Sequence, residues 1–345
     1  MQKFLALSLL ALTPALHAQT VLFRDDFESG LSNWTAETLW HLQPSTDPCS
    51  APAVPFPSGT HALWFGNSQT CILAGPNGAW FDGFVEQVAP VFLPPGSDTI
   101  RLSLRSTSQA EDDGFWDRRT VWMLVDETGS WISLGNILSS TWQTPVFDLT
   151  RWAGHSVRLR LEFWTGDGWD NDGFGWFVDD VAIETSTNPG IVFCSGDGTG
   201  PRCPCNNVSG PGRGCPTSFD PQGALLAASG SASFSNDTLV LQASSVSQSA
   251  VTFFATTHSS VFGSTPTFGD GLRCADGTAI RARAFPKPAG MAQIPMSGDL
   301  PLGQRFNVTA IDPTRYIQAL YRNAAPFCTS ATFNLTNGLI VTWRP

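Results

Sequence analysis

Acidic residues that could bind an ion stand near both ends of the first half of the chain. Residues 25–30 read Asp-Asp-Phe-Glu-Ser-Gly, and residues 176–183 read Trp-Phe-Val-Asp-Asp-Val-Ala-Ile. If the second stretch is a strand, its alternation places Asp179 on the same face as Phe177, Val181 and Ile183. A carboxylate among apolar side chains is costly to bury unless something compensates it. Asp179 therefore needs a partner, which the rest of this half must supply.

Two acidic loops are further candidates for chemistry. Residues 167–173 share part of the EF-hand ligand pattern, but Gly168 stands at its first position and no Glu follows at the twelfth. We interpret them as a plain acidic turn, with a loop calcium as the alternative. Residues 111–117 contain four carboxylates, but neighbours in one loop do not show the separation across a cleft that glycoside hydrolysis needs. A solvated turn or the rim of a recognition surface is preferred there.

Tryptophan is abundant, and its placement predicts a binding surface. The chain has 13 Trp and 24 Phe but only two Tyr, and every Trp except Trp343 precedes residue 177. Most should be core. Three stand in Gly/Asp-rich loops, where burial is not forced, and exposed aromatic faces beside acidic groups suit stacking on sugar rings. The predicted ligand-binding residues are Trp80, Trp116, Asp117 and Trp169; the alternative is that these aromatics are core residues or loop anchors.

Motifs of common enzyme classes are absent from the sequence. The histidines after residue 20 do not form an H-E-x-x-H pair, and no G-x-S-x-G elbow, P-loop or Rossmann glycine run occurs. No Cys or His pair has the spacing of a zinc site. We therefore predict no catalytic residues and a non-enzymatic protein.

Composition and charge restrict the class and the partners. Charged residues make up 14% of the 345 residues, beside 32 glycines and 25 prolines, which is typical of secreted β-proteins. The formal net charge of −10 argues against nucleic acid or anionic lipid as a partner and is compatible with cation binding.

The first 18 residues, MQKFLALSLLALTPALHA, have the pattern of a secretory signal peptide. One positive charge precedes an apolar run that Pro14 interrupts, and a small-residue site ends at Ala18. The run is too short for a transmembrane anchor, and no later stretch is apolar for long enough to span a bilayer. We expect a protein exported to the extracellular space or the cell surface.

Short alternating runs separated by turns predict an all-β protein of two domains. The runs in residues 19–187 are 99–104, 121–125, 157–163 and 176–183, which favours a sandwich or jelly roll. Residues 185–190 mark the boundary, 188–222 form a Cys-rich linker segment, and 223–345 are predicted as a second β-sandwich. Its expected strands are 232–234, 238–243, 250–255, 279–284, 305–310, 317–322 and 339–343.

Eight cysteines follow the signal, and an even number in an exported chain predicts disulfides. Cys49 and Cys71 would close the long early loop. Cys203 and Cys205 are too close to pair easily with each other. Two arrangements of the next four cysteines remain open: 194–205 with 203–215, which we prefer, or 194–203 with 205–215. Cys274 and Cys328 are then left to pair across the second domain.

Residues 22–184 resemble the MAM-like and jelly-roll carbohydrate-binding domains of secreted bacterial proteins. The resemblance rests on the opening Asp-Asp-Phe-Glu-Ser-Gly with Trp34 after it, and on the closing Gly-Trp-Phe-Val-Asp-Asp-Val at 175–181. The Trp131 strand and Phe147-Asp148-Leu149 fit the same pattern. It implies a β-jelly roll whose first and last strands pair, often with a structural calcium near them.

The paired strands would bring the carboxylates of the two acidic stretches together at one edge. Calcium suits such a cluster, because it accepts six to eight oxygen ligands with loose geometry. The expected ligands are Asp26, Glu28, Asp179 and Asp180; the alternative is a solvated acidic edge that discourages aggregation.

The second half resembles a Cys-rich module that recurs at the C-terminus of secreted bacterial proteins. The residues that carry the resemblance are Cys-x-Gly-Asp-Gly at 194–198, Cys-Pro-Cys at 203–205, and the stretches 268–274, 321–328 and 333–339. It implies a boundary and disulfides but no activity.

The sequence therefore predicts an exported binding or adhesion protein with a calcium-stabilised jelly roll and a disulfide-stapled β-sandwich. Its expected partner is a glycan or a cell-surface protein. The alternatives are a structural component of an envelope or extracellular matrix, and an accessory domain of a hydrolytic system.

Overall fold

The computed structural model describes residues 20–73, 80–111, 116–259, 267–284, 290–324 and 327–345. The predicted signal peptide, residues 1–18, lies outside them. None of the helices within these ranges is long and apolar enough to cross a membrane.

Twelve strands and two short 3-10 turns, Pro48–Ser50 and Thr150–Trp152, form the first half. All of the predicted strands are present, and each is longer than its alternating core. The strands are β1 (Thr20–Asp25), β2 (Trp34–Ala36), β3 (Trp40–Pro44), β4 (His61–Phe65), β5 (Asp82–Gln87), β6 (Val91–Phe92), β7 (Thr99–Gln109), β8 (Asp117–Val125), β9 (Trp131–Asn136), β10 (Val146–Asp148), β11 (Ser156–Thr165) and β12 (Gly175–Ser186).

These strands form two antiparallel sheets. The first runs β10-β7-β12-β4-β3 with β1 beside β12, and the second runs β2-β5-β11-β8-β9 with β6 beside β11. The inward positions of β11, from Val157 to Phe163, are almost fully buried against apolar residues of β7 and β12. The predicted sandwich is therefore confirmed, and so is the pairing of the first strand with the last.

A bulge changes the face on which the acidic residue of β12 lies. The pairing with β7 shifts register between Asp179 and Ala182, and Asp180 has a φ of 47°. Trp176 and Val178 therefore face the main core, while Phe177 faces a separate outer cluster. The prediction that one face carries Phe177, Asp179, Val181 and Ile183 is wrong, because an extra residue in a bulge inverts the alternation beyond it.

Residues 45–60 cover the outer face of the first sheet. Phe56 lies 5.9 Å from the ring of Phe177, and the Trp142 Nε1–H donates to Ala53 O at 2.6 Å. The Cys49–Cys71 disulfide closes this covering segment, as predicted. The outer face therefore has a small apolar core of its own, and Asp179 lies beside it.

The second half contains thirteen further strands and one short helix. The strands are β13 (Ile191–Cys194), β14 (Leu225–Ser229), β15 (Val240–Ser244), β16 (Val251–Thr256), β17 (His258–Ser259), β18 (Thr267–Phe268), β19 (Gly271–Leu272), β20 (Ala275–Asp276), β21 (Ile280–Ala284), β22 (Ala292–Ile294), β23 (Thr314–Arg322), β24 (Phe333–Leu335) and β25 (Gly338–Thr342). The helix α1 is Leu302–Arg305.

Two sheets form a second sandwich. The larger runs β13-β25-β23-β16-β21 with β24 beside β23, and the smaller runs β14-β15-β22. Its core includes Phe253, Tyr321 and Trp343, each almost fully buried. β13 lies inside the segment 188–222 that we predicted as a linker, but it pairs with β25 and so belongs to the sandwich. The strand predicted at 305–310 is not formed: α1 ends at Arg305, and turns follow it.

All eight cysteines form disulfides, but two of the predicted pairs are wrong. The pairs are 49–71, 203–215, 194–274 and 205–328. Cys203–Cys215 belongs to the arrangement we preferred, whereas 194–205 and 274–328 do not form. In the folded chain the Cα atoms of Cys205 and Cys328 are 5.7 Å apart, a distance that suits a disulfide. The prediction failed because the spacing of cysteines along the sequence does not show which of them meet in the fold.

The two sandwiches contact each other through polar and apolar groups. The Arg344 Nη2–H donates to Asp98 Oδ1 at 2.7 Å, and the Thr342 hydroxyl donates to Asp148 Oδ2. Val146 packs with Ile191 and Phe193 in one buried cluster. The second sandwich therefore contacts the first at Asp98, Val146 and Asp148.

Candidate ligand-binding site

Three loop tryptophans lie at the same end of the second sheet of the first sandwich. Trp80 precedes β5, Trp116 directly precedes β8, and Trp169 is in the loop that follows β11. β11 lies between β5 and β8 in the sheet. Since neighbouring strands are about 4.8 Å apart, the backbones of Trp80 and Trp116 are about 10 Å apart.

Hydrogen bonds tie these loops to the end of β11. The Phe81 N–H donates to the Thr165 hydroxyl oxygen at 2.7 Å, and the Thr165 N–H donates to Phe81 O at 2.9 Å. On the other side, the Gly166 N–H donates to Trp116 O. The backbones next to Trp80 and Trp116 are therefore fixed to one strand.

The exposure of the three indoles matches what stacking on a ligand requires. Trp80 is 65%, Trp116 39% and Trp169 78% exposed, although large aromatic side chains are usually buried. Trp169 is presented by a turn in which Asp167 Oδ1 accepts a hydrogen bond from the Trp169 N–H at 2.8 Å. The preference for a plain acidic turn over a loop calcium stays a prediction.

Aromatic and charged side chains alternate on the outward face of the same sheet, which the sequence reasoning did not assign to a site. The Arg118 guanidinium lies 4.9 Å from the ring centre of Trp164, and that of Arg160 lies 4.1 Å from the ring of Trp131. The outward half of the β11 alternation, which ends in Trp164, was the signal that could have revealed this face. This outward face adjoins the end of the sheet at which Trp80, Trp116 and Trp169 lie.

Asp117 does not belong to the exposed surface. Its side chain is 1% exposed, and its Oδ2 accepts a hydrogen bond from the Glu111 N–H at 2.9 Å. We therefore withdraw Asp117 as a ligand-binding residue, because a buried carboxylate that closes its own loop cannot reach a ligand. Asp112 and Asp113 of that loop lie outside the described residues.

Two of the four predicted metal ligands, Glu28 and Asp179, converge on residues 58–61. Glu28 accepts hydrogen bonds from the Thr60 N–H at 2.8 Å and the His61 N–H at 2.6 Å, and a side chain at Gly59 would collide with its carboxyl group. Although desolvation acts in the opposite direction, these N–H donors lower the pKa of Glu28. Glu28 is therefore a stable carboxylate facing this short segment.

Asp179 contacts the same segment at Ser58. It has no exposed surface, and it accepts hydrogen bonds from the Ser58 N–H and hydroxyl, at 3.2 and 3.3 Å to Oδ2. Burial raises the pKa of Asp179 to about 7, with a further contribution from the charge of Asp180, against the effect of its hydrogen bonds. The donors around Asp179 therefore do not fully compensate its charge.

The other two predicted ligands point elsewhere. Asp180 Oδ1 lies 3.3 Å from the Arg24 guanidinium, and Asp26 Oδ1 accepts from the Glu28 N–H at 3.3 Å. Of the predicted set of four, only Glu28 and Asp179 are seen to contact residues 58–61, and the full set stays a prediction. The neighbouring Asp25, which we did not select, is buried and accepts hydrogen bonds from Asn33 and Trp34.

The donor set around residues 58–61 fits calcium only if backbone or hydroxyl oxygens complete it. Within the described part of the chain, no three His, Cys, Asp or Glu side chains are grouped so that they could hold a metal ion. Glu28 and Asp179 supply two carboxylates beside the polar segment. Calcium accepts carbonyl and hydroxyl oxygens, so a site of this mixed kind is chemically reasonable.

Comparison with known proteins identifies no family for the chain. No family model matches it, and no curated protein matches it. The MAM-like resemblance and the Cys-rich module therefore stay predictions.

The solved structures to which the chain is similar include carbohydrate-binding modules and an adhesin domain. TmCBM61, solved with beta-1,4-galactotriose, is 16% identical and covers 46% of this chain and 92% of its own, with a TM-score of 0.30. The CBM22-1 xylan-binding domain of Paenibacillus barcinonensis Xyn10C is 16% identical over 50% of this chain and 97% of its own, at a TM-score of 0.30. The K2 cleaved adhesin domain of Lys-gingipain is 12% identical over 49% and 99%, also at 0.30. At these TM-scores the similarities assign neither a family nor a ligand to the chain. Its own strand pairing shows a jelly-roll-like sandwich joined to a second, disulfide-linked β-sandwich.

Proposed function

We propose that the first sandwich binds a glycan through Trp80, Trp116 and Trp169. The observation that carries the proposal is the exposure of all three indoles at one end of one sheet. Each indole has a flat apolar face on which the C–H face of a sugar ring can pack, and an N–H that can donate to a hydroxyl. Backbone hydrogen bonds fix Phe81 and Trp116 to the end of β11, which limits the order that these two positions must gain on binding.

A binding role accounts for these aromatics better than catalysis does. Asp117 is buried, and the exposed tryptophans are not accompanied by a described pair of carboxylates facing each other across a cleft. Glycoside hydrolysis requires such a pair. We therefore propose a non-enzymatic binding or adhesion protein.

We further propose that calcium stabilises the first sandwich between Glu28 and Asp179. A buried carboxylate with a raised pKa is destabilising near neutral pH, and a cation beside it removes that cost. The ion would be structural, because this segment lies on the sheet opposite the one that bears the three tryptophans.

Export of the protein is part of the same proposal. Four disulfides need an oxidising compartment, and a signal-like stretch precedes the first strand. A glycan of a cell surface or an extracellular matrix is then the accessible ligand.

The experiment is a glycan-array screen of the purified chain in calcium, followed by calorimetry with the best ligand. Replacing Trp169 or Trp80 by Ala should weaken binding about tenfold or more, because a buried aromatic anchor carries over about 1 kcal/mol. Trp152→Ala, a change at a half-buried tryptophan of a different loop, is the control and should bind as the unaltered chain does.

The proposal is contradicted if the chain binds no glycan. It is also contradicted if Trp169→Ala and Trp80→Ala bind the ligand as tightly as the unaltered chain does. Binding to a cell-surface protein in the absence of glycan binding would instead support the alternative partner.

A further inference from the structure

A second candidate site lies on the other sandwich and is built from arginines and aromatic rings. A cavity of about 430 Å³ opens on the outer face of the sheet that contains β16, β21 and β23. None of the described residues that line it is Asp or Glu, although acidic residues outnumber basic ones in the chain, 29 to 19. The lining residues are Thr252, Phe254, Phe268, Arg273, Ala279, Arg281, Arg283 and Leu320.

Two of the arginines are held side by side and are not neutralised. Arg281 and Arg283 are two residues apart on β21, so they project from the same face with a spacing of about 7 Å. Both are exposed, and neither has a hydrogen bond or an ion pair with any described residue. Arg273 differs, because it lies 3.9 Å from Asp276. The unpaired charge of this cavity therefore comes from Arg281 and Arg283.

An apolar floor lies next to these guanidinium groups. Strand pairing sets Arg281 opposite Phe254 and Arg283 opposite Thr252, and on the far side Leu320 lies opposite Thr252. Phe268 is 40% exposed at the wall, where its ring packs against Phe333 at 4.8 Å. The cavity thus offers cationic groups on one side and aromatic and aliphatic surface beside them.

We propose that this cavity binds a carboxylated polysaccharide. Guanidinium groups form paired hydrogen bonds with carboxylates, and the sugar ring that bears the carboxylate can pack on the aromatic wall. A neutral sugar could accept hydrogen bonds from both arginines but would not compensate their charge, and a small inorganic anion would leave most of the volume empty. The site lies on the second sandwich and is independent of the three loop tryptophans.

The position of the cavity favours a polysaccharide over an acidic peptide. It extends across the outer face of β21, β16 and β23, and side chains of that face line it, although β21 is itself the edge strand of the sheet. A peptide that adds to a sheet gains its affinity from backbone hydrogen bonds at an edge, which a face does not offer. A sugar ring needs only the flat apolar surface and the charges that are present.

The test is calorimetric titration of the whole chain with polygalacturonate, with a neutral galactan and with poly-glutamate. Polygalacturonate should bind, and added salt should weaken the binding because the contact is ionic. The double variant Arg281→Gln/Arg283→Gln should weaken it about 100-fold, since each charge-assisted hydrogen bond contributes roughly a factor of ten or more. Arg151→Gln, an exposed arginine of the first sandwich, is the matched control and should leave binding unchanged.

A second variant separates recognition of the sugar from attraction of charge. Phe268→Ser should weaken polygalacturonate severalfold. The proposal is overturned if polygalacturonate does not bind, or if the double variant binds it normally. It is also overturned if poly-glutamate binds as tightly as polygalacturonate and Phe268→Ser weakens neither. Trp80→Ala should not alter polygalacturonate binding, so failure here is distinguishable from failure of the tryptophan site.

Discussion

Ser58 donates two hydrogen bonds to Asp179, from its backbone N–H at 3.2 Å and its hydroxyl at 3.3 Å. The two residues are 121 positions apart in the chain, and this contact attaches the covering segment 45–60 to the last strand of the first sandwich. Because the carboxylate is wholly buried, its ionisation is linked to the stability of this face.

The raised pKa of Asp179 predicts how the stability of the first sandwich depends on pH. Without calcium, the folded state holds the Asp179 proton up to about pH 7, whereas the unfolded state releases it near 3.8. This contribution to stability is therefore complete below the unfolded pKa and is lost as the pH rises through the folded value. Chemical denaturation in EDTA at a series of pH values measures it.

The variant for this experiment is Asp179→Asn, which cannot ionise. It should flatten the pH dependence between the two pKa values. Asp167→Asn, in the exposed loop, is the control and should keep the slope of the unaltered chain; an equal slope in Asp179→Asn would disprove the assignment.

Calcium should raise the melting temperature of the first sandwich. A ligand that binds only the folded state stabilises it by about 2.7 kcal/mol at 100 times its dissociation constant, which corresponds to several degrees. Differential scanning calorimetry in calcium and in EDTA checks this. Identical melting curves would exclude a structural ion.

Glu28→Gln is the informative variant for the calcium site. It keeps the size of the side chain and an oxygen for the Thr60 and His61 N–H donors but removes the charge, so the calcium-dependent shift should shrink. Asp26→Asn should leave the shift unchanged, because the hydrogen bond seen for Asp26 is with the Glu28 N–H and not with residues 58–61.

Removing the indole of Trp64 should destabilise the outer face of the first sheet. Trp64 is fully buried, its ring stacks on Phe177 at 5.1 Å, and its Nε1–H donates to Phe174 O at 2.7 Å. Trp64→Ala should cost about 3–5 kcal/mol of unfolding free energy in a denaturant titration. The exposed Trp169→Ala should cost about 0.5 kcal/mol or less. Similar losses in the two variants would contradict the assigned burial.

Loss of the Cys205–Cys328 disulfide should destabilise the second sandwich more than loss of Cys203–Cys215. The first closes a sequence separation of 123 residues and the second one of 12. In the loop-entropy model the longer closure is worth about 1–2 kcal/mol more, even with the other disulfides intact. Double Cys→Ser variants compared by thermal melting test this order, and peptide mapping of the unreduced chain tests the pairs themselves.

Local patterns in the sequence were sufficient for the sandwich of the first half. Val157, Leu159, Leu161 and Phe163 alternate with polar residues, and the structure buries all four. Alternation is a property of the extended backbone, so it can be read without knowing the partner strand. The even number of cysteines likewise predicted complete disulfide formation.

Contacts between distant segments could only come from the tertiary structure. Cys194 pairs with Cys274 and not with Cys205, and the bulge at Asp180 reverses the face of Phe177 and Asp179. A disulfide pair depends on which segments fold together, and a bulge depends on the register with a neighbouring strand.

The two proposed binding surfaces illustrate the same division. The sequence picked out Trp80, Trp116 and Trp169 by type and loop context, but strand order brought them to one end of one sheet. Arg281 and Arg283 are an ordinary alternating pair in the sequence; pairing with β16 sets them beside Phe254 in a cavity whose described lining has no acidic residue. Residue type and alternation are local properties, whereas the neighbours of a side chain across a sheet are decided by topology.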